Sequence, residues 1–262
     1  MGFTQMHIKE LLDESRAHAC DGVGPDHVCV KIAAIAELPS RFGQFHIVAF
    51  YNNKDNKEHV AIVRGDVTNA EDVPVRVHSE CLTGDVLGSL RCDCRDQLES
   101  ALRMIGKMDL GILLYMRQEG RGIGLINKIR AYGLQDHDYD TVEANIALGF
   151  RDDERDYSVA AHMLESLKVK SIKLITNNPR KIEDLERNGI CVKGRIPHIM
   201  QPNQYNRFYL ETKANKSGHL MDFGGKKRLS EQADLPMVKG MDEQQVELVK
   251  QHFNDQNNVD HA

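Results

Sequence analysis

Apolar positions change rhythm several times along this chain, and each change marks an element. Ile8, Leu11 and Leu12 recur at helical spacing within residues 1–28, which close on the turn-prone DGVGPD, so this stretch reads as a helical appendage. From Val28 the pattern shortens to runs rich in β-formers, VCVKIAAIAEL, FHIVAFY and HVAIVRG, the last two parted by the polar NNKDNKE as in a hairpin. An antiparallel sheet is predicted there. After VRVHSE, apolar strands alternate with amphipathic helices: DQLESALRMIG (helix), LGILLYM (strand), LINKIRAYGL and VAAHMLESL (helices), SIKLIT (strand), PRKIEDLERNG (helix) and ICVKGRI (strand). Pro179 suits a helix start and Gly189 its stop. The fold class expected is α/β of mixed α+β character: a mixed sheet with an antiparallel N-terminal part and flanking helices, in one domain over residues 29–222. Residues 223–262 read as a polar tail with room for one short helix in DEQQVELVKQHF.

Composition narrows the class. With 41% hydrophobic and 28% charged residues in 262, the chain is ordinary globular protein. No run approaches a membrane span, and the start MGFTQMHIKELLDESRAHA carries charges where a signal peptide needs an apolar stretch, so a cytoplasmic protein without membrane partners is expected. Its 34 basic against 39 acidic residues give a net charge of −5, which argues against coating nucleic acid. Locally the balance reverses: RQEGRGIGLINKIR sets Arg117, Arg121, Lys128 and Arg130 against Glu119 alone, a patch suited to a small anion.

Six cysteines in a reducing compartment point to metal or redox chemistry rather than a disulfide framework. In HSECLTGDVLGSLRCDC, Cys81, Cys92 and Cys94 are spaced C-x10-C-x-C around the turn-favouring Thr83, Gly84 and Asp85. Three thiolates with the fourth position left to water describe a catalytic zinc site. A closed structural site completed by Cys20, Cys29 or Cys191, and buried unligated thiols, are the competing readings. His78-x-Glu80 matches the first half of the zinc deaminase signature, but its P-C-x-x-C half is absent, so His78 is not counted as a ligand. His18, Cys20, His27 and Cys29 could form a second metal site, although their spacing fits no common zinc pattern.

Taken together, RVHSECLTGDVLGSLRCDC, LLYMRQEGRGIGLINKIRAYGLQD, DTVEANIALGFRDDERDY and KLITNNPRKIEDLERNGI closely resemble GTP cyclohydrolase II, over roughly Val30 to Met221. The resemblance implies a zinc-dependent hydrolase that converts GTP to 2,5-diamino-6-(5-phospho-ribosylamino)pyrimidin-4(3H)-one, formate and pyrophosphate, the first step of riboflavin biosynthesis. It implies a homodimer, with Cys81, Cys92 and Cys94 holding the zinc. Magnesium on the triphosphate follows from the need to offset its charge. A dihydroxybutanone phosphate synthase domain, sometimes fused to this enzyme, does not fit into residues 1–28, so a monofunctional catalytic chain is expected.

Roles carry over position by position. Tyr132 matches a tyrosine beside the reacting ring, although its helical setting alone suits a core aromatic. Asp153 and Arg155, in what would otherwise be a solvated charge run, match the proton acceptor and nucleophile at the α-phosphorus. A guanidinium of pKa above about 12 suits a phosphate clamp equally well. Nucleotide contacts are implied for Arg76, Val77, His78, Ser79 and Glu80, for Gln97, for Glu119, Gly120 and Arg121, and for Thr141, Thr176 and Lys181. Glu119 to Arg121 lie where a strand gives way to a helix, a place that attracts phosphate, although GRGIG alone could be only a tight turn. Arg95 stands where the family commonly has glycine, and it would either add a phosphate contact or point to solvent.

Overall fold

The structure, a computed structural model, describes residues 3, 5–18, 27–55, 57–137 and 139–200. The tail, its DEQQVELVKQHF segment and Cys20 of the second cysteine–histidine cluster lie outside these residues. Among the described residues seven strands form one mixed sheet, the sheet type the pattern predicts: β1 (Val30–Ser40), β2 (Gly43–Asn52), β3 (His59–Arg64), β4 (Val73–Ser79), β5 (Gly111–Met116), β6 (Ile172–Ile175) and β7 (Val192–Ile196), in spatial order β1-β2-β3-β5-β4-β6-β7. β1, β2, β3 and β5 pair antiparallel, with the expected β2–β3 hairpin. β5, β4, β6 and β7 pair parallel. The change of sense falls at β5, whose run GILLYM is buried almost throughout, as a strand covered on both faces must be. β3 instead alternates between buried and half-buried positions.

Helices cover both faces. α1 (Gln5–Ala17), α5 (Ser158–Ser166) and α6 (Pro179–Arg187) pack on one, where Leu11, Ala160, Met163, Leu164 and Leu185 join Val48, Val63, Val75 and Leu114 in the main core. α2 (Cys94–Gly106) lays Ala101 and Ile105 against Leu113 and Phe45 on the other. Each such fully buried leucine, isoleucine, valine or methionine contributes about 1.5–3 kcal/mol. α3 (Gly124–Gln135) and α4 (Thr141–Ala147) make a smaller pair around Ala131, Leu134, Ala144 and Leu148. α4 starts on a reciprocal capping box: Asp140 accepts from the Glu143 N–H, and Glu143 accepts from the Asp140 N–H. At α6, Asn178 caps the first turn and Pro179 opens it, as the sequence indicates. No helix among the described residues is long and apolar enough to cross a membrane.

Candidate active site

β4 and β5 run parallel with their carboxyl ends side by side, the place where open α/β sheets bind ligands. Beyond β4 the chain passes through Cys81 into a π-helical turn, Leu82–Val86, and returns to Cys92 and to Cys94 at the start of α2. This fold-back puts three sulfurs within 4.8 Å of one another, with Cys81 and Cys92 Sγ 3.7 Å apart. Sulfurs bound tetrahedrally at 2.3 Å would stand about 3.8 Å apart, so the set fits a zinc ion. No other histidine, cysteine or carboxylate joins them among the described residues, and Cys191 is exposed as a free thiol. Gly84 makes the cradle: its N–H lies 3.3 Å from Cys81 Sγ, and a Cβ there would come within 2.8 Å of Cys92 Sγ and 3.0 Å of Cys81 Sγ.

The turn is anchored from both sides. Asp85 Oδ2 accepts from the Cys81 N–H at 3.0 Å and from the Tyr115 hydroxyl at 2.9 Å, and lies 3.0 Å from His78 Nε2. Burial, ahead of the opposing pull of Asp85, lowers the pKa of His78 and keeps its ring neutral. On the other side, Glu119 Oε2 accepts from the Leu82 N–H at 2.7 Å while its Oε1 pairs with Lys128 at 2.7 Å. Lys128 Nζ also lies 3.0 Å from Cys81 Sγ. Among the sulfurs, hydrogen bonds from Cys92 and then Cys94 lower the pKa of Cys81, with Lys128 adding to the effect. Cys92 is in turn pushed up to about 11 by its bond with Cys81, and Cys94 is raised for the same reason.

These sulfurs form one wall of a cavity of about 600 Å³ also lined by Arg91, Arg121, Lys128, Tyr132 and Arg155. Nucleotide-sized ligands occupy pockets of this order. Tyr132 reaches it from α3, its hydroxyl 3.1 Å from Thr83 Oγ1, which is itself 3.6 Å from Cys81 Sγ. Burial pushes the phenol up to about 12, so at neutral pH it keeps its proton and can donate it. Arg91 lies 5.0 Å over the ring.

The loop after β5 is unusual in its backbone. Gly120 and Arg121 are both left-handed, at φ 62° and 60°, and for arginine this costs about 1–2 kcal/mol. The loop is held by the segment that follows α4: Arg121 O accepts from the Glu154 N–H at 2.9 Å, and Arg121 Nη1 donates to Asp152 O at 3.1 Å. Gly122, at φ 97°, lies so close that a Cβ would stand 2.9 Å from the Glu154 carbonyl. Gly122→Ala is expected to destabilise the fold by roughly 2 kcal/mol or more, through strain plus backbone overlap. Urea denaturation measures this, and an unchanged midpoint would refute the close contact. In the same segment Arg155 clamps Asp153 through Nε (2.7 Å) and Nη2. Burial would raise the Asp153 pKa, but the Arg155 bonds outweigh it and hold the carboxylate below its usual range.

Of the residues singled out from the sequence, Ser79, Glu80, Cys81, Cys92, Cys94, Glu119, Gly120, Arg121, Tyr132, Thr141 and Arg155 line this one cavity. Arg76, Val77, His78, Gln97, Asp153, Thr176 and Lys181 are not among its lining residues. Buried Arg76 donates to Gln97 Oε1 and to Ile175 O, while Lys181 Nζ donates to Val77 O at 2.8 Å, tying α6 to β4. Thr176 Oγ1 accepts from the Asn178 N–H. Arg95 is on the surface, paired with Glu99. Lining residues missed in the sequence include Arg91, Gln118, Gln135, Tyr139 and Asn145, while Lys128 was noted there only as a member of the basic patch. Lys128 had a signal: it precedes Tyr132 by four residues, which puts both on one face of α3.

A metal-competent thiol centre and a cationic cavity at the ends of parallel strands are the architecture of an α/β enzyme. A model of the family described as GTP cyclohydrolase II matches residues 31–197. The GTP cyclohydrolase-2 of Picrophilus torridus is 58% identical over 191 residues, covering 73% of this chain and 99% of that one. The GTP cyclohydrolase-2 of Aeromonas hydrophila subsp. hydrophila is 56% identical over 191 residues, 73% of this chain and 97% of its own. The riboflavin biosynthesis protein RibBA of Synechocystis sp. is 56% identical over 192 residues, 72% of this chain but 34% of RibBA. The chain belongs to the GTP cyclohydrolase II family.

Proposed function

We propose that this protein hydrolyses GTP to 2,5-diamino-6-(5-phospho-ribosylamino)pyrimidin-4(3H)-one, formate and pyrophosphate, as a cytoplasmic homodimer with one zinc ion per subunit and magnesium on the triphosphate. The observation that carries the reading is the placement of Cys81, Cys92 and Cys94 in the same cavity as Tyr132, Arg121 and Arg155. Held by the three cysteines, zinc would supply the Lewis acidity and activated water that ring opening at C8 requires. The chain's own groups do the rest. Tyr132, a protonated phenol beside the sulfurs, donates to the purine ring as its bonds break. Arg121 and Arg155 hold the triphosphate, Ser79, Glu80 and Thr141 contact the nucleotide, and Arg76, Val77, His78, Gln97, Thr176 and Lys181 fix the strands and turns that carry these contacts. Glu119 and Gly120 shape the phosphate loop. Residues 29–222 are the catalytic unit, 223–262 are an appendage, and α1 from residues 1–28 adds Leu11 to the unit's main core.

Incubating the purified protein with GTP, zinc and magnesium and quantifying formate, pyrophosphate and the pyrimidine by mass tests this directly. Binding of GTP without any product would overturn it in favour of a silent binder. Tyr132→Phe is expected to depress formate release by about 10²–10⁴-fold, the usual range for a positioned proton donor, and pyrophosphate release less. Equal losses in both products would count against the assignment. A chain ending at residue 222 should turn over GTP at the full rate.

A further inference from the structure

We infer that Lys128 is a positioning residue for the metal centre: its ammonium neutralises the Cys81 thiolate and, through Glu119, locks the π-helical turn against the phosphate loop. The inference rests on the zinc-dependent reading above. A divalent ion with three thiolates carries a net charge of −1, and strong sulfur donation weakens it as a Lewis acid. A cation hydrogen-bonded to one sulfur relieves both effects. Lys128 is the cation in place to do so, with Nζ 3.0 Å from Cys81 Sγ and a side chain 11% exposed. The ammonium is fixed there rather than swinging in solvent, because Glu119, 9% exposed, holds it at 2.7 Å. Glu119 in turn commits its other oxygen to the Leu82 N–H and shares the first with the Gly120 N–H. Both its oxygens are thus engaged by protein groups, which makes Glu119 a strut between the cysteine turn and the left-handed Gly120–Arg121 loop. Lys128 also faces Tyr132, its Nζ 5.7 Å from the ring centroid, so one ammonium touches the metal-ligand, phosphate and proton-donor sides of the cavity.

A lysine serving only as a buried ion-pair partner would leave the metal's electronic state untouched, and cobalt(II) substituted for zinc reads the difference. In Lys128→Met the sulfur-to-cobalt charge-transfer band should move to lower energy, because a thiolate without its hydrogen bond is the better electron donor. Steady-state kinetics of the zinc form should show kcat lower by about 10–100-fold, the usual cost of losing a group that orients a metal ligand, with KM little changed. Lys128→Arg keeps a cation and a donor and should restore both the band and most of kcat. Because Lys128→Met strands the Glu119 charge, Lys128→Met with Glu119→Gln is the second variant. It retains the acceptor for Leu82 and should show the same band shift. Cobalt bands superimposable on wild type in both variants would overturn the inference, as would a loss that falls entirely on KM. A wild-type protein that forms no formate from GTP would defeat the hydrolase reading instead. The band comparison needs no substrate and would still decide the role of Lys128.

Discussion

Gly84→Ala is expected to fold normally and to lose its metal, with affinity falling at least about 10–100-fold and GTP turnover falling with it. Gly84 is not in a left-handed conformation, so no backbone strain enters, and the added methyl acts only on what surrounds it. It would meet Cys92 Sγ at 2.8 Å, Cys81 Sγ at 3.0 Å and Cys94 Cβ at 3.0 Å. Every one of these atoms belongs to one of the three candidate metal-ligand side chains, and a metal site tolerates only about 0.2 Å in ligand distance. Neither cysteine sulfur can retreat far on a one-carbon tether, and Cys94 is fixed at the first turn of α2. Gly88→Ala is the matched control. Its Cβ would touch only the flexible end of Arg95 at 3.1 Å, but its φ of 70° makes a side chain cost about 1–2 kcal/mol. It should therefore lower the melting temperature and keep the metal, whereas Gly84→Ala should lose the metal while still folding. Full metal content in Gly84→Ala, measured by atomic emission after dialysis, would show that the triad is looser than its packing indicates. Cys94→Ser should reach the same metal-free state by removing a ligand outright.

The contrast between these glycines shows which parts of the protein the sequence makes legible. Strand and helix positions follow from periodicity, because the pleat and the helical repeat impose it, and β5 announces its central place by an unbroken apolar run. α4 was overlooked although D-T-V-E carries a capping-box signature, because seven residues with Ile146 turned outward offer no amphipathic stripe. Nor could periodicity reveal the π-helical turn or the left-handed pair Gly120–Arg121, which exist because the cysteines and the 151–156 segment hold them. The cysteine spacing C-x10-C-x-C was legible as a cluster able to hold a metal, and the structure brings its three sulfurs within 4.8 Å of one another.

Side-chain roles divide along the same line. The family's motifs point to Arg76, Gln97 and Lys181 as they point to Arg121 and Arg155, yet only the last two line the cavity, while Arg76 bonds Ile175 and Gln97, and Lys181 bonds Val77. Motif matching registers that a residue type is needed. Only the packing says whether it faces the ligand or braces what does. Lys128 shows the converse, a lysine in a basic stretch whose partners, Cys81 and Glu119, lie 47 and nine positions away and so cannot be read from local pattern.

Arg155→Ala is expected to reduce pyrophosphate release by about 10³-fold or more, the range seen when an arginine that stabilises phosphoryl transfer is removed. Two roles are open to it, nucleophile and clamp, and its pairing with Asp153 supports the clamp. A guanidinium must shed a proton to attack phosphorus, and Arg155 donates from Nε and Nη2 to a half-buried Asp153 carboxylate that favours its charged form. Asp153 is itself a weak base for the same reason, its pKa being depressed by the pair. The sign fixes a pH dependence. A depressed folded-state pKa means the pair's stabilisation is present above the unfolded value of about 3.9 and is lost only as pH falls through the lower folded value. Between pH 5 and 9 Asp153 therefore stays ionised, and any acid limb of kcat/KM in that range should persist in Asp153→Asn, though at a lower rate because Arg155 has lost its orienting partner. As a clamp, Arg155 acts by charge and direction, so added guanidinium should partly rescue Arg155→Ala, and quenching the wild-type reaction with α-labelled GTP should leave no label on the chain. A labelled arginine adduct formed fast enough to lie on the pathway would reverse the assignment and make the Asp153 pair a device for orienting a nucleophile.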